Sequence, residues 1–457
     1  MRPINKNFAN LIILLIFAVG LYIRAYWYDD LRLSTANAET DSYISASHAS
    51  IFSWKIFAGQ RLFTTNLIYK MANDSANCLI TSYGKPGIGE EVERAVQPCF
   101  DKIALLQNFL SMFGWCFLGW MLARWLKDPF VKIVGATSVM LFGFTPQIAE
   151  WDSVLSPESL SLSMFAVLLG LMLEVVFRAA AADEPFRSTA DKILLSVLTI
   201  WYLLWVFVRD VHLYAIPITI LMLIPLFFIK KFKTARPLYF VTAILAIFFV
   251  VGYLSARDSL RATRFPLMNS LDAYILPYPS RVEFFRQYGM PEKEAPNYKD
   301  APIYQAWADE NAPKAYAMFL LTHPGFVVTT LWSNLDMLNG EYTQPYFVTD
   351  QIKNREFLLA VGEMVNPQTG FVYLITLAIL LIYFFHAIQF RTPRPSAWAW
   401  LAFLVYGIAA ATLFISYFGD TAGLRRHIMP SVEMLRLYLW VFLLPFFDLS
   451  LDGKSKA

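Results

Sequence analysis

The sequence predicts an all-α, polytopic membrane protein with about ten transmembrane helices. Of its 457 residues, 57% are hydrophobic and only 16% are charged, and the mean hydropathy is +0.46. A soluble protein of this length would be more polar. The apolar residues form long runs, and Lys and Arg concentrate in alternate connections. Because a backbone in lipid must satisfy its own hydrogen bonds, each run is predicted to be a helix.

The apolar runs have roughly the 17–25 residues that a helix needs to cross a bilayer. The first run follows MRPINKNFAN and lacks a small-residue cleavage site. We therefore expect a retained helix and not a removed signal peptide. The ten runs lie at about 8–28, 104–123, 131–148, 159–177, 193–208, 211–229, 237–254, 370–388, 397–416 and 428–447.

Basic residues predict the orientation of these helices. If the N-terminus is cytoplasmic, the cytoplasmic pieces hold sixteen Lys and Arg, whereas the short outer loops hold only Arg209, Arg425 and Arg426. Because cytoplasmic loops are enriched in Lys and Arg, both termini are predicted to be cytoplasmic.

Two long segments, about 29–103 and 255–369, then lie outside. Residues 1–254 form helices one to seven with the first long loop, 255–369 form an extracytoplasmic subdomain, and 370–457 form helices eight to ten and a cytoplasmic tail. The subdomain is rich in Pro and aromatic residues, which predicts short helices joined by turns. Its stretch NAPKAYAMFLLTHPGFVVTTLWSNL contains an amphipathic segment that is expected at the membrane surface.

Two cysteines, Cys78 and Cys99, share the first long outer loop. In an oxidising compartment they would form a disulfide, and two free thiols are the alternative.

Four polar clusters all fall on the predicted outer side. Charged groups at the edge of the hydrocarbon are unfavourable unless they are paired or solvated, so a shared functional site explains them better than ordinary turns do. The clusters are NAETDSYISASHAS (37–50), EWDSVLSPE (150–158), VRDVHLY (208–214) and YFGDTAGLRRHIMP (417–430).

These residue types indicate a particular chemistry. A carboxylate can deprotonate an attacking hydroxyl or hold a hard divalent cation, and Arg binds phosphate with two parallel hydrogen bonds. We find no Ser-His-Asp order, Walker loop, zinc spacing or dinucleotide glycine pattern. No soluble segment carries a basic patch with interleaved aromatic residues, so we expect no nucleic-acid partner.

Taken in order, the motifs ETDSYISASHA, EWDSVLSPESLSLS, VRDVHLYAIP, RVEFFRQYGMP and FGDTAGLRRHIMP resemble those of the GT-C fold glycosyltransferases. These are membrane-integral enzymes that use a lipid-phosphate-linked sugar. The resemblance covers most of the chain in outline. It departs from the family at Pro157, which separates Ser156 from Glu158.

The resemblance implies a catalytic acid in the first outer loop, for which Asp41 is our first choice and Glu39 the second. It also implies a bound lipid phosphate, for which we expect the Arg425, Arg426 and His427 group beside Asp420, together with Arg209. A divalent cation, Mg or Mn, is an open expectation, with Asp41 and Asp152 as ligands. The supporting polar residues are Glu150, Asp152, Glu158, Asp210, His212, Asp420 and Glu341.

Simpler roles stay open for several of these residues. Ser156 could cap the fourth helix while Glu158 favours its N-terminus. Arg209 and Asp210 could form an ion pair at a helix end, and His212 could be a packed polar residue.

The predicted function is transfer of a sugar, a hexose or pentose, from a polyprenyl-phosphate donor to a lipid, glycan or protein acceptor on the non-cytoplasmic face. The expected setting is a bacterial inner (plasma) membrane, whose lipids surround the helices. One alternative is a glycan ligase or polymerase that uses a lipid diphosphate, for which Arg257, Arg261, Arg264, Arg281 and Arg286 would be available. Another is a transporter, which would carry ionisable groups or broken helices at mid-membrane depth.

Overall fold

The computed structural model describes residues 5–71, 78–84, 92–259, 266–292, 301–390 and 392–454. The chain is almost entirely helical. A short antiparallel sheet pairs β1 (Leu33–Ser34) with β2 (Ala95–Val96) inside the first long loop.

Helices before the outer subdomain are numbered in chain order. They are α1 (Lys6–Tyr26), α2 (Thr40–Ser47), α3 (Lys55–Ala58), α4 (Phe63–Lys70), α5 (Asp101–Trp125), α6 (Pro129–Phe144), α7 (Pro146–Ala149), α8 (Pro157–Ala181), α9 (Thr189–Val206), α10 (Ala215–Leu223), α11 (Lys230–Lys233) and α12 (Arg236–Asp258).

Seven short helices follow, and three long ones complete the chain. They are α13 (Met268–Tyr274), α14 (Pro279–Arg286), α15 (Pro302–Glu310), α16 (Ala312–Thr322), α17 (Pro324–Ser333), α18 (Leu335–Asn339), α19 (Arg355–Val365), α20 (Phe371–Phe390), α21 (Pro393–Gly419) and α22 (Leu424–Lys454).

Each of the ten predicted apolar runs lies in helical structure. Within the described ranges, eight helices are long and apolar enough to cross a membrane. The third run is bent by 50° between Pro129–Phe144 and Pro146–Ser153, and it would make a ninth span. The tenth run lies in α22, which carries Glu433 and Arg436 and is not among these spans. The chain is thus an integral, multi-pass membrane protein.

Helix α8 forms the centre of the bundle, with 94% of its apolar window buried. It packs against α5, α9 and α21. Its contact with α5 is close because Gly114 has no side chain, and a Cβ there would lie 2.7 Å from the carbonyl oxygen of Ser163. The apolar windows of α1, α9, α12 and α20 are only 22–28% buried, so most of their surface is left for lipid.

The outer subdomain has its own small apolar core, which includes Phe285, Trp307 and Phe319. It is joined to the end of α21 by the Tyr316 hydroxyl, which donates to the carbonyl oxygen of Phe418 at 2.8 Å. Helix α17 buries none of its residues, and Trp332 is 75% exposed. Its position at a membrane surface stays a prediction.

The first long loop contains a disulfide and is anchored to the helix bundle by hydrogen bonds. Cys78 and Cys99 form the predicted disulfide. The Thr40 hydroxyl donates to the carbonyl oxygen of Leu155 at 2.8 Å, and that of Thr65 donates to Val208 at 2.8 Å. The first hydrogen bond joins the polar clusters 37–50 and 150–158, and the second joins the same loop to the cluster 208–214.

Candidate functional site

Five charged side chains from five separate elements meet at one end of the bundle, the end that the sequence predicts to face outward, and we call them the arginine–carboxylate cluster. They are Glu39, at the start of α2; Arg61, before α4; Glu158, in the first turn of α8; Arg209, after α9; and Arg426, in the first turn of α22. Only the ends of long helices and one loop contribute, so the fold brings together residues far apart in the sequence.

Glu39 is held from three directions. One carboxylate oxygen pairs with the guanidinium of Arg426. The other accepts a hydrogen bond from the Tyr43 hydroxyl at 2.9 Å and lies 3.2 Å from Nη2 of Arg61. The side chain of Glu39 is nevertheless 30% exposed. It is therefore both positioned and accessible.

Glu158 is the buried partner of the cluster, with 1% of its side chain exposed. Its Oε1 lies 3.4 Å from Nη1 of Arg209 and 3.4 Å from Nε of Arg426. Among the described residues, neither carboxylate oxygen of Glu158 nor Nη1 of Arg209 has a hydrogen-bond partner. The charged groups are thus close together but do not satisfy each other's hydrogen-bonding capacity. Ser156 stands at the N-cap of α8, but its side chain makes no capping hydrogen bond.

A polar chain continues from Arg426 towards the outer subdomain. Nη2 of Arg426 lies 3.2 Å from Nε2 of His427, whose Nδ1 lies 3.6 Å from a carboxylate oxygen of Asp420. The other oxygen of Asp420 accepts hydrogen bonds from the Asn269 side chain and the Ala422 amide, both at 2.9 Å. Burial raises the pKa of Asp420, although these hydrogen bonds and the charge of Arg209 oppose the shift.

The cluster holds three guanidinium groups and two carboxylates, so it is one positive charge in excess. Arg61 also donates from Nε to the Ser42 hydroxyl at 2.8 Å and lies over the ring of Tyr43 at 4.3 Å. Arg209 and Arg426 are 11% and 14% exposed. Fixed, partly desolvated guanidinium groups bind phosphate oxygens well. The arrangement is suited to an anionic ligand.

Asp41 lies apart from the cluster. Glu39 and Tyr43 are four residues apart and share one face at the start of α2, whereas Asp41, two residues from each, faces away and is exposed. Its carboxylate makes no hydrogen bond or ion pair to the residues that the structure describes. The choice of Asp41 before Glu39 as the catalytic acid stays a prediction, and of the two only Glu39 lies in the cluster.

Two other predicted acids are committed to ion pairs elsewhere. One oxygen of Asp152 accepts from Arg24 at 2.8 Å and the other from the Ser159 hydroxyl at 2.5 Å. Glu150 accepts from Nε of Arg355 at 2.6 Å. Asp152 and Glu150 are both buried, with only 1% of each residue exposed. They join α1 and α19 to the turn before α8 and do not reach the cluster.

The remaining predicted residues also stand outside the cluster. Arg425 donates to the backbone oxygen of Glu341, and its part in a phosphate site stays a prediction. His212 is fully buried, stacks on Trp205 with ring centroids 4.2 Å apart and contacts its carbonyl oxygen at 3.1 Å. These contacts agree with the alternative in which His212 is a packed polar residue. Asp210 is exposed at the head of the short 3-10 helix Asp210–Tyr214.

A divalent cation does not fit this arrangement. Across the described part of the chain, no group of three or more His, Cys, Asp or Glu could hold a metal ion. Asp41 and Asp152 are not neighbours in any contact, and both oxygens of Asp152 are already engaged. The excess of guanidinium groups around Glu39 would also repel a cation. The expected Mg or Mn site is therefore not supported.

Sequence reasoning missed Arg61, Arg24 and Arg355. Arg61 lies in a 75-residue loop with no recognisable motif. Arg24 sits near the outer end of the first apolar run, where an isolated Arg predicts only a side chain that reaches for the interface. The sequence signal for Arg24 and Arg355 is an acid next to an apolar run with no basic residue close to it in the sequence, such as Asp152 or Glu150. Such an acid indicates that a distant Arg must pair with it.

Comparison with protein-family models and with curated proteins gives no match. Solved structures do resemble the chain in outline. The oligosaccharyltransferase AglB from Archaeoglobus fulgidus, in complex with an inhibitory peptide and a dolichol-phosphate, aligns with 99% of this chain and 52% of its own at 12% identity, with a TM-score of 0.45. The same organism's enzyme tethered to an acceptor peptide with an NVT sequon aligns with 95% and 49% at 11% identity, with a TM-score of 0.45.

A third structure, the Archaeoglobus fulgidus oligosaccharyltransferase with Zn and sulfate, covers 96% of this chain and 51% of its own at 10% identity, with a TM-score of 0.43. This chain thus spans about half the length of the structures it resembles. The likeness to these structures is one of outline.

Proposed function

We propose that the chain is an integral membrane glycosyltransferase that moves a sugar from a polyprenyl-phosphate donor to a lipid, glycan or protein acceptor. The observation that carries this proposal is the arginine–carboxylate cluster, in which Arg426 bridges Glu39 and Glu158 at the end of a lipid-exposed helix bundle. A phosphate site beside an acid, within reach of lipid, suits a lipid-phosphate-linked sugar.

The phosphate of the donor would bind Arg209 and Arg426, with Arg61 at the side. Nη1 of Arg209 has no hydrogen-bond partner among the described residues, so it can donate to a phosphate oxygen without first breaking a hydrogen bond. The unsaturated Glu158 holds both guanidinium groups in place through charge alone. The prenyl chain would run along the lipid-facing helices.

Glu39 is the base that the geometry favours. It would take the proton from the acceptor's nucleophilic group as that group bonds to the anomeric carbon of the sugar. The bond from this carbon to the phosphate oxygen breaks at the same time, and the polyprenyl phosphate leaves with the electron pair. Arg426 links the base and the phosphate site directly, so the two halves of the reaction meet at one side chain.

The orientation belongs to the same proposal. The cluster would face the outside, both termini would be cytoplasmic, and the protein would reside in a bacterial plasma membrane. The basic connections and the disulfide of the first long loop support this orientation.

The diphosphate alternative finds less support in the outer subdomain. Arg281 donates to the backbone oxygen of Tyr274 and lies over the ring of Tyr278 at 3.8 Å, and Arg286 pairs with Glu283. Arg261 and Arg264 lie outside the described residues. A transporter is also less favoured, because the buried pair Glu433 and Arg436 in α22 is met by backbone oxygens of the outer segment and not left at mid-membrane depth.

The test is an assay of polyprenyl phosphate release in proteoliposomes with a mixed pool of polyprenyl-phosphate sugars and an acceptor extract. The native chain should release the lipid phosphate. Glu39→Gln should reduce the rate by about 10²–10⁴-fold, the usual contribution of a general base, and Asp41→Asn should leave it nearly unchanged. Each variant is first checked for folding by its elution as a single species and by its Tm.

The outcomes separate the hypotheses. Loss with Asp41→Asn alone would restore our first choice of base within the same function. Absence of release from the native chain with every donor would overturn the monophosphate function. Release that persists in both variants would show a transferase whose base is neither acid.

A further inference from the structure

A second candidate binding site lies at the opposite end of the bundle from the cluster. Helices α8, α9, α10, α12 and α21 enclose a cavity of about 470 Å³. Its position on α8, Met172 to Ala180, is at least 14 residues from Glu158, or about 20 Å along a helix that rises 1.5 Å per residue. The proposed sugar transfer makes no use of it.

The walls of this cavity are almost wholly apolar, with Leu198, Leu245 and Trp400 among them. The deepest polar groups satisfy each other, because the Tyr202 hydroxyl lies 2.7 Å from that of Thr219. A volume of this size is within the range of ligand sites, which is about 300–1,000 Å³. The chemistry of the walls selects a hydrocarbon chain.

One cationic group stands at the cavity wall. Nζ of Lys231, on α11, donates to the carbonyl oxygen of Ala180 at 2.7 Å, which leaves two of its protons for other acceptors. The segment 230–236, KKFKTAR, contains four basic residues and no acid. The carboxylate of Asp183, just after the end of α8, attracts the charge of Lys231. Lys231 is therefore the cationic group available to a ligand in this cavity.

The surroundings of the cavity indicate how it is filled. The apolar windows of α9, the 210–228 span and α12 are only 22–28% buried, so these helices stand in the lipid with the cavity behind them. Basic pockets between transmembrane helices on the cytoplasmic side bind anionic lipid headgroups.

We propose that this cavity binds one acyl chain of an anionic phospholipid from the cytoplasmic leaflet, with the lipid phosphate at Lys231. The ligand is a membrane lipid and not the sugar donor, so the proposal rests on the orientation given under the proposed function but not on sugar transfer. Its role is to complete the packing between the α9–α12 layer and the central helices.

The test is site-specific photo-crosslinking in vesicles. A photoreactive diazirine amino acid replaces Leu198 in the cavity or, as a control, Leu15, which is 62% exposed on α1. Each protein is placed in vesicles of phosphatidylcholine and phosphatidylglycerol with identical chains, and the adducts are identified by mass spectrometry. We expect phosphatidylglycerol to be enriched about fivefold at Leu198 relative to Leu15, as one basic residue beside an anionic lipid predicts.

Two charge variants locate the headgroup. Lys231→Gln should abolish the enrichment at Leu198, whereas Lys192→Gln, which removes an exposed charge at the same end of the bundle, should preserve it. Absence of a lipid adduct at Leu198, or an adduct without headgroup preference, would overturn the proposal. In membranes that also contain polyprenyl phosphate, an isoprenoid adduct in place of the phospholipid would overturn it as well.

Discussion

Glu39 is the residue on which the candidate site depends, because three side chains contact its carboxylate while almost a third of it stays exposed. A carboxylate held by two guanidinium groups is a poor base until one of them is drawn away. In the proposed reaction, donor phosphate would compete with Glu39 for Arg426. Glu39 would then keep Arg61 as its remaining guanidinium partner.

Arg426→Lys tests this bridge. Lysine keeps the charge but lacks the planar fork that reaches both carboxylates. We expect the KM for the donor to rise about tenfold or more, as the loss of a charge-assisted hydrogen bond predicts, with a fall in kcat. Arg425→Lys is the matched control, because Arg425 contacts the backbone of Glu341 and should tolerate the change. Equal effects of both substitutions would contradict the bridging role.

Asp420 offers a test in pH. Because burial raises its pKa above the ordinary 3.8, the folded chain holds this proton more tightly than the unfolded chain. The stability contributed by the group is therefore complete below the ordinary pKa and is lost as the pH rises through the raised value. Asp420→Asn keeps an oxygen for Asn269 and the Ala422 amide and removes the buried charge.

The Tm of Asp420→Asn should therefore exceed that of the native protein near neutral pH, and the difference should vanish as the pH approaches about 4. A native protein that is the more stable near neutral pH would show that the attraction of Asp420 to His427 and Arg209 outweighs its burial. The measurement is thermal unfolding in detergent at a series of pH values.

At the scale of the element, the turn before α8 is held by buried ion pairs. Arg24 of α1 reaches Asp152, the Asn108 side chain and the carbonyl oxygen of Ala149, at 2.6–2.8 Å. This single side chain joins α1, α5 and the turn. Glu158 lies less than two helical turns further along the chain. The segment before α8 therefore positions the cluster, although Asp152 does not belong to the cluster.

Asp152→Asn should therefore destabilise the protein without a matching loss of chemistry. Removing one partner of a buried ion pair leaves the other charge unpaired, which costs about 3–5 kcal/mol. We expect a lower Tm and lower yield, with the activity of the folded fraction within a fewfold of native. If folded Asp152→Asn loses activity as fully as Glu39→Gln, Asp152 acts in the chemistry and our assignment of it is wrong.

At the scale of the whole molecule, charge divides the bundle into two ends. At the end opposite the cluster, Glu174 pairs with Arg124 at 3.2 Å and with Arg178 at 2.6 Å. Asp448 accepts from the backbone amide of Lys127 at 2.9 Å and pairs with Arg394 there. These ion pairs anchor helix ends. The other end holds the accessible acid Glu39 and the guanidinium group of Arg209, whose Nη1 has no hydrogen-bond partner among the described residues.

Cysteine labelling tests which end faces outward. In a Cys116→Ser background, the exposed Lys353 is replaced in Lys353→Cys to mark the cluster end, and the exposed Lys192 is replaced in Lys192→Cys to mark the opposite end. A membrane-impermeant maleimide should label the first in intact cells and the second only after permeabilisation. The opposite pattern would place the cluster in the cytoplasm and would contradict the proposed sidedness.

The long apolar runs and the distribution of Lys and Arg determined, without any structure, that this is a helical membrane protein with its unusual polar clusters at one end. Hydrophobic length and loop composition are local properties, so they can be read from the sequence. Glu39, Glu158, Arg209 and Arg426 were all among the candidates for this reason.

Only the tertiary structure decided which of those candidates meet. Asp41 and Glu39 are two residues apart, yet the start of α2 turns one towards Arg426 and the other towards solvent. Arg61, Arg24 and Arg355 gained their partners through contacts between residues separated by 22 or more positions. Pairing of charges depends on distances in space, and these are set by the packing of helices that are remote in the chain.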